Sequence, residues 1–165
     1  MVNCQLSITL AQQLAIGQWR DHLPYHQTKA IAEASDRIFC ATPYSVFSYN
    51  KSDQSIGRIS KSNGLSDVGV STIKFHSSSG NLVIAYNNGN LDLYNNGDII
   101  NISDIKRSLI TAGKNINRIT IINDLAYLSC GYGISVLDIS KKEIKETWFI
   151  GDNGTYLNVN DIAFD

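Results

Sequence analysis

The chain has 165 residues, 43% hydrophobic and 18% charged, with a formal net charge of −1. That content suits one core-forming domain, or part of a larger one, and excludes a disordered chain. Lysines and arginines are scattered, with Lys141, Lys142 and Lys145 as the densest cluster, so no nucleic-acid partner working through a basic stripe is expected.

The chain opens with MVNCQLSITLAQQ. Thr9 and Ala11 match the small residues of a signal-peptidase site after Ala11. Residues 1–15 are therefore read as a signal-peptide remnant or disordered leader, and 16–165 as the folded part. No apolar run is long enough to span a membrane. A lone strand is placed near Trp19, and the core is expected to take up its indole.

From residue 30 onward, short strand-like runs follow one another. AIAEA (30–34), RIFCAT (37–42), SVFSYN (45–50) and SIGRIS (55–60) make a first group. STIKF (71–75), an uninterrupted apolar run at 82–86, LDLY (91–94) and DIINI (98–102) make a second. Asn87-Asn88-Gly89 and Asn95-Asn96-Gly97 close the runs of the second group. Asn-Gly reaches positive φ at little cost, which is the geometry of tight hairpins. ISDIKRSLITAG (102–113) has helical spacing, with Asp104 as a cap and Gly113 as a stop. RITII (118–122), LAYLSC (125–130), ISVLDIS (134–140) and EIKETWFI (143–150) make a third group, and NDIAFD begins a fourth.

The groups repeat. Ala41, Ala85 and Ser129 lie 44 residues apart, and Ile31, Ile73, Ile119 and Ile162 are spaced by 42, 46 and 43. A period of 40–45 residues holding four strands is the signature of a propeller blade. The expected fold is all-β, a β-propeller of four-stranded antiparallel blades. About 3.5 blades are present as a partial ring, at 30–60, 71–102 and 118–150, with a fourth starting at 161. A β-sandwich also has many short strands, but it does not require this self-similarity. Fourteen strands per chain would make seven blades in a homodimer. Ile38, Phe39, Tyr127, Leu128, Ile162 and Phe164 are the residues expected on the open ends.

Motifs of chemistry are absent from the string. Cys4, Cys40 and Cys130 are an odd set without Cys-x-x-Cys spacing, and Cys40 and Cys130, in the apolar runs RIFC and AYLSC, read as buried free thiols. His22, His26 and His76 read as surface or turn residues, and Pro24 keeps the first two off one helix face. Gly131-Tyr132-Gly133 follows a strand but precedes another strand, so a dinucleotide loop is excluded. Asp92, Asp98, Asp104 and Asp138 read as turn or exposed-strand carboxylates. No catalytic residue, cofactor or metal site is expected. A propeller hydrolase or lyase would need convergent acids or a metal in the central channel. Aromatics at turns are the remaining candidates: Tyr44, Tyr132, Tyr25 and Tyr156 form the expected interaction surface. Trp148, on an outer strand, is expected in the core.

Two resemblances join this reading. NGLSDVGVSTIKF and the following GNLVIAYNNGNLDLYN (63–95) resemble the two-component regulator propeller repeat through Asn63, Gly64, Leu65, Ser66, Gly80, Gly89 and Tyr94. They depart from it at Val83-Ile84-Ala85-Tyr86, where that repeat has a Trp-Ile-Gly-Thr-like core. IGQWRDHLPY (16–25), YSVFSYNKSD (44–53) and IGDNGTYLNVNDIAF (150–164) are similar to the N-terminal β-propeller of PorZ-like proteins. This second resemblance implies an exported protein of the type IX secretion apparatus of Gram-negative bacteria, in the periplasm or at the cell surface. Its implied partners are a sortase-containing attachment complex and anionic lipopolysaccharide or glycan. The first implies instead the periplasmic sensor propeller of a hybrid two-component system.

Overall fold

A computed structural model describes residues 25–164. The leader, Cys4, Trp19 and His22 lie outside these residues. Twelve strands form three antiparallel sheets, each built from four strands consecutive in the chain. Blade one holds β1 (Ala30–Glu33), β2 (Arg37–Ala41), β3 (Ser45–Asn50) and β4 (Ile56–Ser60). Blade two holds β5 (Val70–His76), β6 (Asn81–Tyr86), β7 (Leu91–Asn95) and β8 (Asp98–Ile102). Blade three holds β9 (Ile116–Ile122), β10 (Leu125–Cys130), β11 (Gly133–Asp138) and β12 (Glu143–Trp148). This is an open sector of a β-propeller, as the 44-residue period predicts.

The turns explain why the chain reverses so tightly. Asn96 and Gly97 both have positive φ (48° and 106°) between β7 and β8, the two-residue hairpin that matches strand twist. Gly89, at φ 80°, lets its N–H donate to the Tyr86 carbonyl at 3.1 Å and close the β6–β7 turn.

β6 is buried on both faces because blade two has a neighbour on each side. Leu82, Ile84 and Tyr86 pack toward blade one with Phe39, Ala41 and Val46. Val83 and Ala85 pack toward blade three with Ala126, Leu128 and Cys130. Ala41, Ala85 and Ser129 are fully buried. Each large apolar side chain so placed contributes about 1.5–3 kcal/mol.

Several expectations are corrected. Phe39 and Leu128 are not on open ends but are buried between blades, since alternate residues of a strand face opposite neighbours. The stretch 102–113 is helical only at α1 (Asp104–Arg107), with Ser103 as N-cap. Ser108 ends the helix by donating its hydroxyl to the Ile105 carbonyl at 2.7 Å, and the Lys114 ammonium takes the Lys106 and Ser108 carbonyls. Residues 155–164 form no strand, because no second segment among the described residues pairs along them. They dock instead by Val159 N–H to the Cys130 carbonyl at 3.0 Å and by Phe164 against Tyr127 at 4.7 Å. Trp148 is 38% exposed. β12 is an outer strand, and its indole N–H donates to Glu146 at 2.9 Å. Cys130 is a buried free thiol and Cys40 a partly buried one.

Three polar side chains also sit deeper than expected, among them Asp138, 8% exposed at the end of β11, where it accepts from the Ser140 hydroxyl and the Lys141 N–H. His76 is 3% exposed; its Nδ1 lies 2.7 Å from the Ser79 hydroxyl, and its Nε2 is 3.5 Å from Asp124 of blade three. Asp92 is fully buried in β7. It accepts the Tyr86 hydroxyl at 2.6 Å, the Ser66 N–H at 2.9 Å and the Asn101 amide at 2.9 Å. Burial and this carboxylate push the Tyr86 phenol well above its usual range.

Asp67 ties α1 to the β6–β7 turn. It accepts Lys106 Nζ at 2.6 Å and Asn88 Nδ2 at 2.7 Å. Burial alone would raise its carboxyl, but Lys106, Asn88 and the Val68 N–H outweigh that and hold it at about 2. The unfolded value is near 4. The native group is therefore depressed, and its contribution is complete above pH 4 and lost as pH falls from 4 through 2. That contribution is about 2 kcal/mol at most. In paired urea titrations, the gap between the native chain and Asp67→Asn is expected to shrink between pH 5 and pH 2. A pH-independent gap would show that Asp67 does not carry the acid sensitivity.

Candidate functional site

The inner strands β1, β5 and β9 stand beside one another and form the wall of the central channel. Lys29, Ala30, Ile31, Thr72, Ile73, Lys74, Arg118 and Ile119 line a cavity of about 310 Å³ along it. Two of these strands are irregular at the same repeat position. β5 pairs Val70 with Tyr86 and Thr72 with Ala85, so Ser71 is an extra residue. β9 pairs Ile116 with Cys130 and Arg118 with Ser129, so Asn117 is extra. Such bulges re-aim a side chain.

Ser71 and Asn117 lie two residues before the repeat isoleucines Ile73 and Ile119. Lys29 and Asn160 hold the same position relative to Ile31 and Ile162. All four line one cavity of about 560 Å³ at the channel mouth, joined by Asn87 and Asn115. Side chains that look unrelated in the string thus converge because the repeat brings one position from four units to one place. Asn115 Nδ2 donates to the Asn117 side-chain Oδ1 at 2.5 Å, and Asn117 Nδ2 donates to the Val159 backbone carbonyl at 2.7 Å. The mouth offers carboxamides, and Lys29 and Lys74 add charge without an ion-pair partner among the described residues. Arg118 is paired with Asp161 at 3.0 Å.

This arrangement can recognise hydroxyl, amide or anionic groups. No carboxylate is in the channel lining just described. Among the described residues no cluster of three or more His, Cys, Asp or Glu side chains could hold a metal ion.

The four tyrosines do not come together. Tyr44 is 48% exposed on the β2–β3 turn and Tyr156 is 44% exposed against Phe149. Tyr25 lies edge-on to Phe47 at 5.9 Å under the Arg58 guanidinium, on the outward face of blade one. Tyr132 is fully buried and cannot belong to an exposed surface. Its hydroxyl meets Ser135 at 2.6 Å, and Phe149 covers its ring at 6.2 Å. The chain after β12 folds back over this turn, with Leu157 N–H on the Tyr132 carbonyl. Sequence reading missed Lys29, Ser71, Asn117 and Asn160. Their one signal was a shared offset from the repeat isoleucines.

Three four-stranded blades side by side define a β-propeller by class. The chain belongs to the family described as the type IX secretion PorZ N-terminal beta-propeller domain, which matches residues 38–164. Among solved structures it is similar to PorZ, a bacterial surface component of the type-IX secretion system of Porphyromonas gingivalis. The two share 30% identity with a TM-score of 0.72, over 76% of this chain and 17% of that one. The chain thus spans about a sixth of PorZ. The extracellular domain of the putative hybrid two-component system BT4673 from B. thetaiotaomicron is 15% identical, at TM-score 0.61 over 78% of this chain and 17% of that one. Kuenenia stuttgartiensis hydrazine synthase is also 15% identical, at TM-score 0.61 over 87% and 40%. These two likenesses show the fold alone. No curated protein matches the chain.

Proposed function

We propose that this chain is a non-enzymatic recognition module of an exported cell-envelope protein. Its context is the attachment machinery of type IX secretion. Its ligand is an anionic lipopolysaccharide or glycan of the envelope, or a protein of the same complex, taken at the channel. The observation that carries this reading is the channel wall of a PorZ-type propeller, where Lys29 and Lys74 supply positive charge beside the carboxamides of Asn87, Asn117 and Asn160. The surface placement of PorZ supports export.

Lys29→Glu with Lys74→Glu is expected to weaken binding of purified anionic lipopolysaccharide by about tenfold or more. Each pair of opposed charges near a surface is worth on the order of 1 kcal/mol, and reversal doubles the effect. Raising salt should weaken the native chain in the same direction. Unchanged binding in the double variant would remove the channel from the proposal. The same preparation examined by light scattering reads the homodimer proposed to complete the ring. The half-covered Phe47 and the exposed Ile31 and Ile56 of blade one would meet the other copy there, and a compact monomer would remove that part.

A further inference from the structure

On the face of the disc that carries the β1–β2, β5–β6 and β7–β8 turns, a cavity of about 260 Å³ opens between blades one and two. Its floor is aromatic. Phe39 is 3% exposed, with Phe75 stacked at 6.1 Å and Tyr94 edge-on at 6.1 Å. Ala34, Gly80, Asp36, Arg37, Asn95 and Asn96 complete its lining.

The next interface shows what this corner is built to hold. Ala34 and His76 occupy the same repeat position, three residues after Ile31 and Ile73. Gly80 and Asp124 also correspond, each standing just before β6 and β10. Between blades two and three, the His76 imidazole fills the corner, 3% exposed and 3.5 Å from Asp124. Between blades one and two, both partners are reduced to the smallest residues. The cavity thus lies at the repeat position where the next interface supplies the His76 ring.

We propose that this cavity binds an uncharged aromatic side chain, of the tyrosine or histidine kind, presented by a partner protein. The aromatic floor receives a ring edge or face, and Arg37 and Asn95 offer polar groups to the ring's hydroxyl or nitrogen. Arg37 is already answered by Asp36, which it grips through Nε at 2.9 Å and Nη2 at 2.6 Å. The lining therefore holds no unpaired charge for an ionic ligand, and a neutral ring fits best. The occupant's chemistry follows from the equivalent corner between blades two and three, where the His76 ring, borne on β5 itself, sits against the next blade. This inference does not rest on the channel reading.

The test uses N-acetyltyrosinamide as the probe on the native chain, read by amide chemical shifts. Dissociation constants of about 1 mM are the expected range for so small a ligand. Shifts are expected at Gly80, Asn95 and Asn96. Ala34→His, which supplies the ring in cis, should weaken binding by about tenfold or more, whereas Leu109→Ser, at a 96%-exposed side chain outside this lining, should leave it unchanged. Ala34→Leu is the second filling variant if the histidine chain does not fold, with the same expected loss. Either absence of shifts at these amides in the native chain, or equal binding after filling, overturns the proposal. So does saturable binding mapped elsewhere.

Discussion

Asp92→Ala is expected to lower the unfolding free energy by about 3–5 kcal/mol, the largest single effect in this chain. The carboxylate is fully buried within β7 and receives three donors: the Tyr86 hydroxyl, the Ser66 N–H and the Asn101 amide. Truncation strands the buried Tyr86 hydroxyl and the half-buried Ser66 N–H, whereas the exposed Asn101 amide keeps the Asn90 and Leu91 oxygens as acceptors. Each buried donor left without an acceptor costs about 1–3 kcal/mol, and the cavity adds to that. Tyr86→Phe removes one donor and leaves the others served, so its loss should stay near 1 kcal/mol. Urea titrations of the two variants decide the matter. A loss below that of Tyr86→Phe would mean that Asp92 is not the acceptor that holds the turn at Ser66 to blade two.

Gly133→Ala is expected to cost about 2–4 kcal/mol. Gly133 has φ of 145°, a conformation that L side chains rarely adopt, and a Cβ there would collide with the Trp148 carbonyl oxygen of β12. The obstacle is backbone, so no side chain can swing aside to relieve it. The adjacent Tyr132 is turned inward at this same point, and its near-ultraviolet circular dichroism should report the displacement. A variant as stable as the native chain, with an unchanged spectrum, would show that β11 shifts without cost.

The strands were legible because two local signals agreed. Apolar runs such as LVIAY stop at Asn-Gly pairs, and β3 and β10 begin and end where sequence alone puts them. The blade count was legible because Ala41, Ala85 and Ser129 recur at one spacing. The buried polar residues were not legible. Asp92 in LDLY looks like an exposed-strand carboxylate, and its three donors come from residues 6 to 26 positions away. His76 closes β5, where a turn histidine is ordinary; only its neighbour in blade three shows that it is enclosed. Tyr132 sits at a turn that sequence reads as surface, and a later segment covers it. The channel mouth was hidden for another reason. Bulges at Ser71 and Asn117 change which side chain points inward, and no local propensity announces a bulge. α1 stopped after one turn because Ser108 and Lys114 take the carbonyls that a longer helix would use.

Among the described residues every sheet is made of four strands that follow one another in the chain, with no strand borrowed from a distant blade. All pairing within a blade is therefore short-range in sequence, which favours rapid formation. As the chain emerges N-terminus first, a blade has its whole hydrogen-bond ladder available after about forty residues. What a newly made blade lacks is a face to lie against. Blade two can dock on blade one as soon as it is made, and blade three then closes over β6. Assembly is thus vectorial. Blade two covers one face of blade one, and blade three finds its template already waiting.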